Sequence, residues 1–452
     1  MKALTAQLLT ALLGATLVAG DAAAMVHAGV CTDTRKLVPG CVFFALKGEN
    51  FDANSFAAQA LQQGAAVVVV SKWDGADTRN GAVLVVEDPL LSLQQLASWW
   101  RTQLDLHVIG LTGSNGKTST KDFTAAVLSQ KFSTKATRGN LNNHIGLPLT
   151  VLETTLQHQA AVYEMGMNHP GEIAPLAAIA RPQIAIITNI GSSHIEFMGS
   201  REGIAREKAA IAHNLTEEET LIVPHDCDFL PLIRSLTQAQ VMTTGGENDA
   251  VKASTIREEN GGMKFLLEIG QHSASVDLPV SGRHMVANAL LAAAAGHLCG
   301  LSADEIARGL SEATLSSGRL RRFVSRGITV FDDTYNANPE SMIAGLETLA
   351  RESTNGKRYA VLGRMGELGA HAAEGGQRVG ECAARLPVIT ITVGDEADLI
   401  SRHAGPQALH FADREKAAVY LNEHLQAGDV VLFKGSRTAA MEQVMKQIFP
   451  ND

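Results

Sequence analysis

The sequence predicts an α/β protein of three domains, on two observations. The chain has 452 residues, more than one hydrophobic core ordinarily serves. Strand-like apolar runs alternate with helix-periodic runs along most of it, the pattern of a largely parallel sheet covered on both faces. The alternation breaks at 261–280 and restarts after Ser316. Domain boundaries are therefore expected at 1–87, 88–315 and 316–452.

Each element has its own signal. Between Cys31 and Val86, short β-like runs (Val42–Leu46, Ala65–Val70) flank a helical segment at Phe56–Gln62, and Leu91–Leu104 reads as a connecting helix. His107–Thr112 is an apolar strand running into a glycine turn, with helical periodicity at Lys117–Phe132. Strands at Ala160–Met165, Ile184–Ile190 and Thr220–Val223 alternate with helices Gly171–Ala180 and Arg201–Asn214. Gly261–Val280 has short alternating runs broken by glycine, as antiparallel strands do. Met285–Leu298 is an alanine-rich helix, and Ser302 with Glu305 forms a capping box for the next one. Strands then recur at Ile328–Asp332, Tyr359–Leu362, Val388–Val393 and Val430–Lys434, with helices at Glu340–Glu352, Glu374–Leu386, Arg414–His424 and Thr438–Ile448.

Composition narrows the function. A hydrophobic share of 45% with 19% charged residues suits a globular chain rather than extended disorder. The net charge of −9, with no basic block, argues against a nucleic-acid partner. Five cysteines without a Cys-x-x-Cys pair read as buried thiols in a reducing compartment, with no structural zinc. Met1–Ala24 superficially resembles a secretory signal, but Thr5, Gln7 and Thr10 interrupt its apolar run. Leu8, Leu9, Leu12 and Leu13 instead suggest one face of an amphipathic helix. No other stretch has the length of a membrane span, so no membrane insertion is expected.

The chemistry centres on Thr112-Gly113-Ser114-Asn115-Gly116-Lys117-Thr118. Gly113 and Gly116 let backbone amides turn onto phosphate oxygens, Lys117 supplies charge, and the Thr118 hydroxyl suits Mg²⁺. The following helix adds the positive end of its dipole. Leu111 stands where the standard phosphate-loop pattern has glycine, and a plain strand–helix turn is the alternative. Glu164 and His194 follow strands of the same unit, at the edge where α/β sheets place ligands, and suggest metal coordination. Each taken singly also reads as a surface or satisfied residue. Lys208, inside a helix, reads from the residues alone as a solvated charge. Asp332-Asp333-Thr334-Tyr335-Asn336-Ala337-Asn338-Pro339 suits a hydroxyl-rich ligand such as ribose, or an Asx-rich turn with a helix cap. Ser71-Lys72-Trp73-Asp74 mimics a guanine-recognition motif, but it precedes the phosphate loop and reads as a surface turn.

Taken together, the motifs resemble the Mur ligases, amide-forming enzymes of peptidoglycan precursor synthesis. The marks are Thr32–Leu37 with Ala45–Glu49, Thr112–Ser119, Gly139–Asn143, Asn168–Ile173, Asp332–Asn338, Met365–Gly369, Lys434–Arg437 and Ala439–Glu442. Asn140–Asn143 and the Lys434 block are similar to the branch that adds D-alanyl-D-alanine. The resemblance implies a small α/β UDP-binding domain, a central P-loop ATPase domain with a mostly parallel sheet, and a Rossmann-like C-terminal domain. It implies a cytoplasmic, monomeric ligase joining D-alanyl-D-alanine to UDP-N-acetylmuramoyl-tripeptide with ATP and Mg²⁺ at two sites.

The implied roles follow residue by residue. Gly113, Ser114, Asn115, Gly116, Lys117, Thr118 and Ser119 would hold the phosphates, with Thr118, Glu164 and His194 on metal. Lys208 matches the position the family carbamylates to bind the second Mg²⁺, which reverses its bland reading. Lys117, His194 and Lys208 would thus carry catalysis. Asn288, Arg319, Asp333 (or Asp332), Tyr335 and Asn336 would contact the nucleotide. Asp33, Thr34, Arg35, Lys47, Asn140, Asn142, Asn338, Lys434 and Arg437 would face the other substrates. A cleaved signal recedes, because the family's first helix belongs to the UDP-binding domain. Met285, where the family usually has asparagine, and Arg364, where it has an acid, depart from the pattern. Rival readings are a folylpolyglutamate-like ligase, a P-loop kinase or GTPase, and a silent ATP-binding scaffold.

Overall fold

The structure, a computed structural model, describes residues 1–48, 51–75, 81–259, 261–316 and 318–450; Glu49 of the Ala45–Glu49 block lies outside them. The fold is α/β, with mostly parallel sheets. The chain forms two compact bodies: Met1–Gly110 with Phe132–Gly166 and Ala174–Gln183, and Leu111–Lys131 with Met167–Ile173 and Ile184–Asp452.

The first body holds a five-stranded sheet in the order Thr16–Gly20, Ala82–Val85, Val67–Val70, Val42–Phe44, Val30–Cys31. Only Thr16–Gly20 runs antiparallel to its neighbour. Val67–Val70 is buried throughout, as a strand covered on both faces must be. Phe43, Val68, Val70 and Val83 pack with Ala57, Ala60 and Leu61 of the helix Ala57–Gln62.

The helix Ala6–Leu13 starts at Thr5, whose hydroxyl accepts from Leu8 N at 3.1 Å, and stops at Gly14 in the left-handed region, φ 58°. It buries Ala6, Leu9 and Leu13, spaced three and four apart. Leu8 is exposed and Leu12 half-buried, so the expected four-leucine face is corrected to a narrower stripe. Of the five free cysteines, Cys227 is half-buried and the other four are buried, as small apolar side chains are.

The connecting helix is Pro89–Arg101, capped by Asp88 and opened by proline at its first position. It anchors through Trp100, whose Nε1 donates to Thr154 O at 2.7 Å. The buried Arg101 donates from Nε to Ala180 O at 2.8 Å, answering a carbonyl at the end of the helix Ile173–Ala180.

The largest sheet has nine strands, in the order Thr134–Ala136, Ala160–Glu164, His107–Thr112, Ile184–Ile187, Thr220–Pro224, Gln240–Thr244, Val251–Glu259, Gly262–Ile269, His272–Leu278. From Ile184 to Val251 the pairing is parallel; the last two pairs are antiparallel. A six-stranded sheet follows: Arg321–Ser325, Ile328–Asp333, Val430–Lys434, Arg358–Gly363, Ile389–Val393, Leu409–Phe411. All its pairs are parallel except the opening hairpin. Its strands bury Val330, Val361, Ile391, Val431 and Phe433 against the helices Arg414–His424 and Met441–Ile448. Asp333, Lys434 and Gly363 therefore end neighbouring strands at one edge.

Several helices end elsewhere than their periodicity predicts. The helix Lys117–Leu128 stops short of Phe132, and Arg201–Ala209 passes into a 3₁₀ turn at Ala210–Ala212. Ala440, at φ 51°, delays the last helix from Thr438 to Met441. Among the described residues no helix is long and apolar enough to cross a membrane.

Candidate active site

The strand His107–Thr112 delivers the chain into the Gly113–Gly116 turn. Gly116 sits at φ 76° and precedes the helix Lys117–Leu128. A Cβ on Gly116 would lie 2.5 Å from Asn288 Oδ1, and one on Gly113 would lie 1.8 Å from Thr188 Oγ1. Both glycines are therefore required by close packing as well as by conformation. Lys117 Nζ donates to Gly113 O at 2.7 Å, curling its charge over the loop. Thr118 and Ser119 are buried in the first helical turn, whose amides point toward the loop.

A second strand end braces this loop. Asn115 N donates to Asn189 Oδ1 at 2.9 Å, and Ser114 N donates to Asn189 O at 3.1 Å. Gly191 N donates to Ser114 Oγ at 2.9 Å, and Thr188 Oγ1 donates to Asn115 O. Thr188 and Asn189 were not singled out from the sequence. Their only signal was a polar pair directly after an apolar strand.

His194 lies five residues beyond Asn189, at φ 62°, just before the helix Ile195–Met198. Its Nδ1 is 2.5 Å from Glu367 Oε2, a close approach that falls outside hydrogen-bond alignment. That contact, before all else, holds the Glu367 carboxyl below its usual range.

Lys208 overturns its reading as a solvated charge, because the side chain is 1% exposed. Burial first, then the positive charge of Lys117, push its amine well below the usual lysine range. Whatever disfavours the charged ammonium favours the neutral amine, the form that reacts with carbon dioxide.

In the first body, Glu164 ends the strand Ala160–Glu164, almost fully buried. Its Oε1 accepts from Asn142 Nδ2 at 2.8 Å, and Gly166 N donates to Asn142 O at 2.8 Å. Asn140 lies in the same turn, its carbonyl accepting from Asn142 N at 2.8 Å. Asp33 grips Arg35 in a two-pronged ion pair, Nε to Oδ1 at 2.9 Å and Nη2 to Oδ2 at 2.8 Å. That pairing holds the Asp33 carboxyl down to about 2. Thr34 begins the 3₁₀ turn that Asp33 caps, and Lys47 is exposed on a short hairpin.

The C-terminal segment is a turn and a cap at once. Asp332 accepts from Thr334 Oγ1 at 2.7 Å, and Asn338 caps the helix Pro339–Arg351 by accepting from Ser341 N at 2.9 Å. Asn338 Nδ2 also donates to Asn115 Oδ1 at 2.7 Å, and Glu340 Oε2 accepts from Ser192 Oγ at 2.8 Å. These two side chains touch the phosphate loop and the Ser192–Ser193 turn directly. Asp333 accepts from the buried Lys434 Nζ at 2.6 Å, and Lys434 also donates to Asn336 O at 3.0 Å. The Arg319 guanidinium lies over the Tyr335 ring at 4.2 Å. Arg437 is exposed, 3.4 Å from Glu442.

Of the two departures, Met285 is buried beside Asn288, whose Nδ2 is 3.8 Å from its sulfur. Arg364 turns to Thr438 Oγ1 at 3.0 Å and toward Glu396. Ser71 bonds Asn54, as expected of a surface turn.

Among the described residues no three His, Cys, Asp or Glu side chains converge on one point. The Thr118 hydroxyl in the second body and the Glu164 carboxylate in the first are buried oxygen donors of the kind Mg²⁺ takes.

A glycine-built phosphate cradle on a parallel sheet, followed by a second α/β sheet, defines a nucleotide-using α/β enzyme. Known proteins narrow that class. The Mur ligase middle domain matches residues 111–296, and the Mur ligase, glutamate ligase domain matches residues 318–437. The UDP-N-acetylmuramoyl-tripeptide–D-alanyl-D-alanine ligase of Escherichia coli strain K12 is 39% identical over 429 residues, covering 93% of this chain and 94% of that protein. The ligase of the same name from Bacillus subtilis strain 168 is 37% identical, covering 93% of each. MurF from Acinetobacter baumannii matches with a TM-score of 0.91 and 34% identity over 100% of both chains. MurF from Thermotoga maritima in complex with ADP gives 0.84 and 29%, covering 93% of this chain and 96% of that one. The chain belongs to the Mur ligase family.

Proposed function

We propose that this protein is an ATP-dependent ligase that joins D-alanyl-D-alanine to UDP-N-acetylmuramoyl-tripeptide in peptidoglycan precursor synthesis. The observation that carries the reading is the Gly113–Thr118 cradle, with Lys117 curled over it and Lys208 buried on the helix Arg201–Ala209. The names of the relatives supply the substrate pair.

The tripeptide's terminal carboxylate attacks the γ-phosphorus of ATP, giving an acyl phosphate and ADP. The dipeptide amine then attacks the activated carbonyl, and phosphate leaves. Lys117 and the amides of the first helical turn neutralise and orient the transferring phosphoryl group. Mg²⁺, when bound, would draw charge from the phosphate oxygens, with Thr118, Glu164, His194 and a carbamylated Lys208 as its protein ligands across two sites. Gly113, Ser114, Asn115, Gly116 and Ser119 line the phosphates, while Asn288, Arg319, Asp333, Tyr335 and Asn336 take the remainder of the nucleotide. Asp33, Thr34, Arg35, Lys47, Asn140, Asn142, Asn338, Lys434 and Arg437 serve the other two substrates, the exposed Arg35 suiting a diphosphate.

The three main sheets fall within 16–85, 107–278 and 321–434, which supports domains at 1–87, 88–315 and 316–452. A cytoplasmic monomer belongs to the same reading. Phosphate release measured with UDP-precursors and a panel of acceptors tests it. Turnover should require D-alanyl-D-alanine; equal turnover with glutamate or a single D-alanine would overturn the assignment.

A further inference from the structure

His194 and Glu367 share an unusual backbone feature. Both are non-glycine residues in the left-handed region, at φ 62° and φ 60°. L-residues seldom adopt it, and such outliers gather at functional sites. Here both serve one contact, His194 Nδ1 to Glu367 Oε2 at 2.5 Å.

The two segments are also tied through the backbone, Glu196 N donating to Glu367 O at 3.3 Å. Gly369 comes so close that a Cβ there would lie 2.8 Å from Glu196 Cγ. The His194 side chain is 14% exposed and that of Glu367 43%, so the carboxylate covers one edge of a mostly enclosed ring.

Two lone pairs cannot face each other across so short a gap, so Nδ1 carries the proton even though its N–H lies off the line to Oε2, and the lone pair is left on Nε2. In metal sites a histidine ligand commonly gives its other N–H to a carboxylate, which sets the tautomer and the ring direction. We infer that Glu367 is a positioning residue: its carboxylate fixes the Nδ1–H form of His194 and presents Nε2 to the cation that accompanies the nucleotide. The inference rests on His194 being a metal ligand, and adds what makes it one.

The test uses the full chain with two readouts. In metal-free protein, ¹⁵N imidazole spectra report the His194 tautomer, assigned with His194→Gln. Wild type should show Nδ1–H; Glu367→Ala should shift toward Nε2–H; Glu367→Gln, whose amide oxygen can still accept, should keep Nδ1–H. Mn²⁺ binding in the presence of ADP, followed by electron paramagnetic resonance, should weaken by about 10- to 100-fold in Glu367→Ala and less in Glu367→Gln. A wild-type Nε2–H tautomer, or a Glu367→Ala protein unchanged in both readouts, overturns the inference. Should Glu367→Ala not fold, a Glu367→Gln protein that loses the Nδ1–H form does the same. If His194→Gln binds Mn²⁺ as tightly as wild type, the metal-ligand reading fails. If His194→Gln is weakened but Glu367→Ala is not, only the role of Glu367 falls.

Discussion

Gly116→Ala isolates what the phosphate loop requires of its backbone. An alanine at φ 76° bears the left-handed penalty of about 1–2 kcal/mol. Its Cβ would also lie 2.5 Å from Asn288 Oδ1 and 2.9 Å from Asn288 Nδ2. Asn288 is 6% exposed, on the helix Arg283–Leu298, so it cannot swing clear without moving its neighbours. Overpacking of that kind costs about 1–3 kcal/mol. The sum, roughly 2–5 kcal/mol, should appear in the urea unfolding of nucleotide-free protein. Repeating the substitution in an Asn288→Ala background should remove the packing part and leave about 1–2 kcal/mol. The same cost in both backgrounds would refute the close approach. A cost under about 0.5 kcal/mol in either would refute the strained turn as well.

Other consequences follow from the buried charges. Lys208→Ala should lower turnover by on the order of 100-fold, with partial recovery on adding short carboxylic acids; a fully active variant would sink the carbamate. His284 is held neutral, down to about 4, chiefly by burial, with Lys434 adding to the effect and Asp333 opposing it. Its unfolded-state value is near 6.5, so between pH 6.5 and 4 the unfolded chain binds more protons, and stability falls as pH drops through that window. The loss is at most about 3 kcal/mol, the equivalent of moving the imidazole from 6.5 to about 4. Denaturation midpoints of His284→Gln between pH 7 and 5 should slope less than those of wild type.

The sequence was most legible where physics is local. His107–Thr112 and Arg414–His424 were bounded correctly because an apolar run meets a glycine turn in one and Asp413 caps the other. The Ser302–Glu305 capping box needed only its own four residues. Strands such as Val251–Glu259 and Arg321–Ser325 were missed, since a bulge breaks the alternation of the first and charge masks the second, which lies at a sheet edge. Lys208 shows the limit most clearly. On its helix it has the periodicity of a surface charge, and only tertiary packing buries it. The contacts of Asn189, Glu340 and Glu367 were equally hidden, because each joins residues far apart in sequence.

The central claim is that ATP activates the tripeptide carboxylate as an acyl phosphate within the Gly113–Thr118 cradle. UDP-N-acetylmuramoyl-tripeptide carrying ¹⁸O in its terminal carboxylate tests it directly, with D-alanyl-D-alanine as acceptor. Mass spectrometry of the released phosphate should show one carboxylate oxygen transferred per ligation, and Lys117→Ala should release none. Ligation with unlabelled phosphate would contradict the account.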